Sequence, residues 1–377
     1  MFGSTFPKGG MDPHFVSLCE YGNLEGVKDY VENNGYVRFV SYYSYSDAFY
    51  MACKKGHLEV AKWLLCRADR IKIDLIDIYY KHDPFVLACE NGHLEVAKWL
   101  LQIKPTFLIT THNNYIFRQT CINGHLEVAK WLYELQTDVR GNINVEAQYQ
   151  THPIHTHIGI RDLNWAFQES CENGHFEVAK WVYALRRGVT FMHEAFIVNV
   201  CRNGHLAIAQ WLYQLYPNIN ISISNEAPFR YACNGGHLHV AQWLLQIKPT
   251  IRISILYEWA FRGACIHGHL HVAQWLLKIK PTIDITAINS DAFQSCCKEQ
   301  KLEVAQWLQQ MKPYLYVIVY DENGKIKGHR IREKEEANWQ KRKYLVWLAS
   351  EHCPEKNKHN LLYKLPSDVS RLLILHL

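Results

Sequence analysis

The sequence predicts an all-α repeat solenoid of about nine helix-turn-helix units. Three observations carry that expectation: a phrase that returns along the chain, a period near 32–33 residues, and a tryptophan and a cysteine held in register with the phrase. The phrase reads Ala-Cys-Lys-Lys-Gly-His-Leu-Glu-Val-Ala-Lys-Trp-Leu-Leu at Ala52–Leu65. It returns with few changes at Ala88–Leu101 and Ala232–Leu245.

Each slot of the phrase has a physical reason. The glycine recurs as Gly22, Gly56, Gly92, Gly124, Gly174, Gly204, Gly236 and Gly268, and Gln300 stands in a ninth copy. Successive spacings are 34, 36, 32, 50, 30, 32, 32 and 32. This slot is expected to end the first helix of each unit, where the chain turns through a left-handed residue that glycine adopts at least cost. The stretch Leu58–Leu65 is apolar except for Glu59 and Lys62, so a helix there needs cover on several sides, and in a stack its neighbours supply it. Trp63, Trp99, Trp131, Trp181, Trp211, Trp243, Trp275 and Trp307 all fall seven residues after the glycine slot, the pattern of a packing ladder between units. Cys19, Cys53, Cys89, Cys121, Cys171, Cys201, Cys233, Cys265 and Cys297 lie three residues before it, so 9 of the 12 cysteines occupy one structural position. Small buried thiols between close helices fit that pattern. A disulfide framework does not, and no Cys-x-x-Cys pair offers a zinc site.

On these residues the chain resembles the ankyrin-repeat family. That family's hallmark is Thr-Pro-Leu-His-x-Ala-Ala-x-x-Gly-His-Leu-x-x-Val-x-x-Leu-Leu. Here the opening reads Asp83-Pro84-Phe85 or Ala227-Pro228-Phe229, and cysteine replaces the second alanine. The wording Gly-His-Leu-Glu-Val-Ala-Lys-Trp-Leu-Leu, with Ile-Lys-Pro-Thr-Ile after such units, is similar to the ankyrin arrays of amoeba-infecting giant viruses. The family's usual Gly-Ala-Asp turn is absent. In its place stand Ile247-Lys248-Pro249-Thr250 and Ile279-Lys280-Pro281-Thr282, where proline stops the helix. The Ile-x-Ile runs at Ile71, Ile219, Ile251 and Ile283 suggest short extended fingers.

The repeat array is expected over 12–311, after a flexible leader at 1–11. The 50-residue spacing places an insertion within about 138–160. It carries His152, His155 and His157, read as an exposed polar loop, with a metal or pH-responsive contact as the alternative. Past Met311 the period breaks. Aromatic and β-branched residues flank Asn323-Gly324, which predicts a β-hairpin over 312–332. A charged C-terminal helical cap is expected over 333–377, with Trp347 where a repeat tryptophan would fall. Its tail resembles the opening of an F-box in Leu365, Pro366, Asp368, Val369 and Leu372, which would imply an adaptor contact; the residues alone read as a short amphipathic helix docking on the array.

Composition bounds the function. Of 377 residues 48% are hydrophobic, ample for a continuous core, and a net charge of +5 is too mild to argue for nucleic acid as partner. No run approaches the roughly 18 apolar residues of a membrane span. No phosphate-binding glycine loop, Gly-x-Ser-x-Gly or His-Glu-x-x-His is present, so no catalysis, cofactor or metal is expected. The histidines of the Gly-His pair are expected to hydrogen-bond across the turn. The expected role is a protein-interaction scaffold in a reducing, cytoplasmic setting, host-directed if the viral resemblance holds. It would bind through the concave face and finger tips. Residues that differ between copies are candidates for specificity: Lys54-Lys55, Glu90-Asn91 and Arg202-Asn203 before the glycine, and Tyr43, Tyr79, Tyr80, Asn113, Tyr115, Arg230, Tyr257, Trp259 and Arg262 near the fingers. Arg230 and Arg262 share a slot in adjacent copies and suggest a local basic patch. Two rival roles stand beside the scaffold: a substrate-receptor subunit of a ubiquitin ligase, and a structural component of a virus particle.

Overall fold

The computed structural model describes residues 13–34, 42–71, 83–104, 114–142, 158–185 and 195–332. The expected leader, the three histidines of the insertion and the 333–377 cap lie outside the described residues. The chain divides into two compact units, Met1–Met192 and His193–Leu377.

The first unit is a run of five helix pairs: α1 (Pro13–Glu20) with α2 (Leu24–Asn34), α3 (Tyr42–Lys55) with α4 (Leu58–Ile71), α5 (Pro84–Glu90) with α6 (Leu94–Ile103), α7 (Tyr115–Ile122) with α8 (Leu126–Asn142), and α9 (Ile160–Glu172) with α10 (Phe176–Leu185). The first helices stack in order, α1 on α3, α3 on α5, α5 on α7 and α7 on α9. The second unit repeats the pattern with α11 (Ala195–Arg202) and α12 (Leu206–Leu215), α13 (Ile223–Asn234) and α14 (Leu238–Ile247), α15 (Ile255–Ile266) and α16 (Leu270–Ile279), α17 (Ala287–Lys298) and α18 (Leu302–Met311). It ends in the antiparallel hairpin β1 (Tyr316–Tyr320) and β2 (Ile326–Ile331). The described helices thus make nine pairs, an all-α ankyrin-type repeat array with one small hairpin.

The core is a set of columns. Phe15, Phe49, Phe85 and Phe117 in the first unit, and Phe229, Phe261 and Phe293 in the second, are each no more than 1% exposed. In five copies the tryptophan packs on the phenylalanine of the copy before. Phe49 meets Trp99 at 6.5 Å, and Phe85–Trp131, Phe117–Trp181, Phe229–Trp275 and Phe261–Trp307 all meet at 6.3 Å, tilted or edge-on. Such ring pairs contribute about 0.5–1.5 kcal/mol each beyond the area they bury. The nine slot cysteines are buried free thiols. Burial pushes Cys19 and Cys201 up to about 12 and Cys53, Cys89, Cys121, Cys233 and Cys265 above their ordinary range.

The glycine slot is left-handed, with φ from +71° at Gly22 to +86° at Gly174 and Gly268. A second reason for glycine lies in the next copy. The His57 ring lies over Gly22, His93 over Gly56 and His269 over Gly236. Each ring donates from Nε2 to a carbonyl two residues before that glycine, as His57 does to Glu20 O and His93 to Lys54 O, both at 2.8 Å. The histidines therefore bond across the boundary between copies, not across their own turn.

The hairpin substitutes for a tenth copy. Tyr316, fully buried, stacks flat on Phe293 with centroids 4.1 Å apart, where a tryptophan would otherwise pack. Its hydroxyl donates to Ser290 Oγ at 3.1 Å. Asp321 Oδ1 accepts from the Asn323 and Lys325 amides, which closes the turn expected at Asn323-Gly324.

Candidate interaction surface

The fingers of the second unit are built from successive turns. Ile219 N–H donates to Tyr216 O and Ile223 N–H to Asn220 O, and the same i, i+3 bonds recur from Ile251 to Lys248 and from Ile283 to Lys280. The buried Ile221, Ile251, Ile283 and Ile285 anchor them, which explains the Ile-x-Ile wording without a strand.

Each finger then enters its helix through three consecutive left-handed residues: Ser224–Asn225–Glu226, Leu256–Tyr257–Glu258 and Ile288–Asn289–Ser290, with φ between 51° and 61°. Left-handed backbone costs roughly 1–2 kcal/mol per residue bearing a Cβ. Two devices offset it. The third residue turns inward, so Glu226, Glu258 and Ser290 are 4%, 8% and 4% exposed. Glu226 and Ser290 find hydrogen-bond partners there, whereas Glu258 Oε2 and Ser254 Oγ are buried with none among the described residues, so at the middle finger only the second device offsets the strain. Glu226 accepts from Ser222 Oγ at 2.5 Å and faces Arg252 at 3.7 Å, while Lys248 donates to the same Ser222 hydroxyl. The second device is a side chain five residues on, which reaches back to the strained carbonyls. Arg230 Nε donates to Asn225 O at 2.7 Å and its Nη2 to Ser224 O at 2.9 Å. Arg262 does the same to Tyr257 O at 2.8 Å, and Gln294 to Asn289 O at 2.6 Å.

What remains outward is the tip. Tyr257 is 75% exposed, with Leu256 at 42% and Ile288 at 49% on the neighbouring finger. The clamps fix the backbone beneath these side chains, so an exposed apolar group is presented with little conformational freedom left to lose on contact.

The sequence-predicted residues are placed as follows. Tyr79, Tyr80, Asn113 and the tail residues Leu365, Pro366, Asp368, Val369 and Leu372 lie outside the described residues, as does the side chain of Tyr43. Tyr115 is half-buried at the start of α7, after the left-handed Asn114. Arg230 is buried and Arg262 nearly so, its Nη1 donating to Asp291 Oδ2 at 2.5 Å; both guanidiniums brace turns. Trp259 is half-buried, with Arg230 over its ring at 4.7 Å. The first unit repeats that contact where Arg118 lies over Trp165 at 5.0 Å. Sequence reasoning missed Tyr231, Trp165 and the bracing role of the arginines. The signal was an Arg or Gln recurring four residues before the cysteine's neighbour, in the slot after the buried phenylalanine.

Among the described residues no helix is long and apolar enough to cross a membrane, and no group of three or more histidine, cysteine or acidic side chains could hold a metal ion.

Residues 15–111 and 49–146 match the family model described as ankyrin repeats (3 copies). No curated protein matches the chain. Among solved structures, the crystal structure of the human ASB11 ankyrin repeat domain is similar at 16% sequence identity with a TM-score of 0.38, covering 62% of this chain and 97% of that one. Ankyrin repeats are generally protein–protein interaction scaffolds and typically non-catalytic. The chain carries ankyrin repeats: the family model spans residues 15–146, and the same glycine, histidine and tryptophan geometry recurs in the second unit as far as Trp307.

Proposed function

We propose that this chain is a non-catalytic protein-interaction scaffold that binds its partner through the finger tips and the face of the first helices. The observation that carries the reading is the pair of braced fingers presenting Leu256, Tyr257 and Ile288 to solvent. Exposed aromatic and aliphatic anchors on a fixed backbone are what interface hot spots are made of. The test is affinity purification with the intact chain and with a variant carrying Leu256→Ser, Tyr257→Ser and Ile288→Ser, after its melting temperature is confirmed. A specific partner lost by the variant supports the reading. Identical capture by both forms sinks the finger surface as the binding site.

A second reading rests on Leu365-Pro366-Ser367-Asp368-Val369, the F-box-like opening. In it the array selects a substrate and the tail recruits a ubiquitin ligase through its adaptor. Adaptor pull-down that survives deletion of 365–377 excludes the tail as recruiter. The proposed domain plan is the one read above, with the array over 12–311, the hairpin over 312–332 and the cap beyond. A host-directed viral role stands on the resemblance to giant-virus arrays alone.

A further inference from the structure

Arg202, at the end of α11, is exposed, and its guanidinium carbon lies 3.9 Å from the centre of the Tyr231 ring on α13. The Arg230 guanidinium carbon lies 5.7 Å from that ring and 4.7 Å from the Trp259 ring on α15. Tyr231 and Trp259 meet edge-on with centroids 5.1 Å apart. Two guanidinium groups are thereby fixed about one aromatic pair, and stacking of this kind pre-orients the planar fork that arginine offers to a carboxylate.

The neighbouring copy shows what the arrangement lacks. Arg230 commits Nε and Nη2 to the turn carbonyls, and no described residue accepts from its Nη1. One copy further on, Arg262 braces its own turn in the same way and its Nη1 is taken by the Asp291 carboxylate. The slot that holds Asp291 is held in the previous copy by Trp259, which stacks on Arg230 but supplies no acceptor. The surrounding charge points the same way. On the first helices of this unit Glu226 and Glu258 are buried beneath the fingers and Asp291 is paired, which leaves Arg202 and Lys298 as the exposed, uncommitted charges; the exposed Glu299 lies on the turn after α17, three copies on from Arg202.

We propose that Arg202, Tyr231, Arg230 and Trp259 form a subsite for an aspartate or glutamate side chain of a protein partner, which deepens the scaffold reading and rests on it. The carboxylate takes Arg230 Nη1 and the exposed guanidinium of Arg202, and the two rings hold both cations in place and cover the flanking residues of the partner.

A random peptide library selected on the full chain tests this. Selected peptides are expected to carry Asp or Glu and to bind the Arg202→Gln variant roughly tenfold more weakly, as the loss of a charge-assisted hydrogen bond implies. Changing the peptide's acid to its amide should give a similar loss on the unaltered chain, a measurement that needs no variant. Peptides without an acid, or bound equally by both forms, overturn the subsite and leave the scaffold reading standing. Failure to select any peptide overturns both.

Discussion

A Cβ at Gly236 would lie 2.5 Å from Nδ1 of His269, and the backbone there has φ +80°. Two independent costs therefore meet in one atom, left-handed strain of about 1–2 kcal/mol and the displacement of a ring that bonds across copies. Gly236→Ala is expected to lower stability by about 2–4 kcal/mol, measured by urea unfolding. A loss below about 0.5 kcal/mol would show that the ring moves freely aside. The Gln300 position confirms the reasoning from the opposite side. It is also left-handed, at φ +57°, yet tolerates a side chain, because no histidine follows and its amide instead pairs with Ile326 N and O. Gly268 is intermediate: Lys301 takes the histidine's place, with its Cδ 3.0 Å from the position of a Cβ. Recurrence made the glycine, tryptophan and cysteine slots legible in the sequence, since each repeats one residue type in one register. The histidine's acceptor was not legible, because a carbonyl more than 30 residues away carries no side-chain signature.

At the scale of elements, an array must end somewhere, and its last apolar face needs cover. β1 provides it through Tyr316, which stacks on Phe293 and bonds Ser290. Tyr316→Ala removes a fully buried ring from a packed site, a change that costs about 3–5 kcal/mol for comparable aromatics. The amides of α17 and α18 are expected to exchange with deuterium markedly faster in this variant, with those of α13 and α14 little changed, because stability in such arrays is largely a matter between neighbours. Uniform acceleration through the unit would contradict that picture. The hairpin itself was readable from alternation around Asn-Gly, and so was the helical pairing. The finger entry was not. Three left-handed residues bearing Cβ atoms contradict local propensity, and they persist because Arg230, Arg262 and Gln294 hold their carbonyls from the next turn of chain. The candidate site was legible only in part for the same reason. Tyr257 projects from its finger at 75% exposure, while Arg230 and Arg262 serve the backbone first.

Over the whole molecule, the histidine columns couple folding to pH. Burial, followed by repulsion from neighbouring histidines and opposed by the carbonyl bond, holds His93, His125, His237 and His269 below their ordinary value of 6.5. The unfolded chain therefore takes up protons first as pH falls. Stability is fully present above pH 6.5 and is lost as pH drops through the lowered values. The melting temperature is expected to fall between pH 7.5 and 5.5, and a flat profile over that range would refute the linkage. The left-handed glutamine bears on how such a chain can lengthen. A unit duplicated anywhere upstream brings its own glycine and its own ring, so each new junction closes as the old ones do. Inserted after residue 300, the same unit would drive its imidazole into the glutamine stem. Growth by internal copying is thus open along the body of the array and barred at that end unless position 300 becomes a glycine.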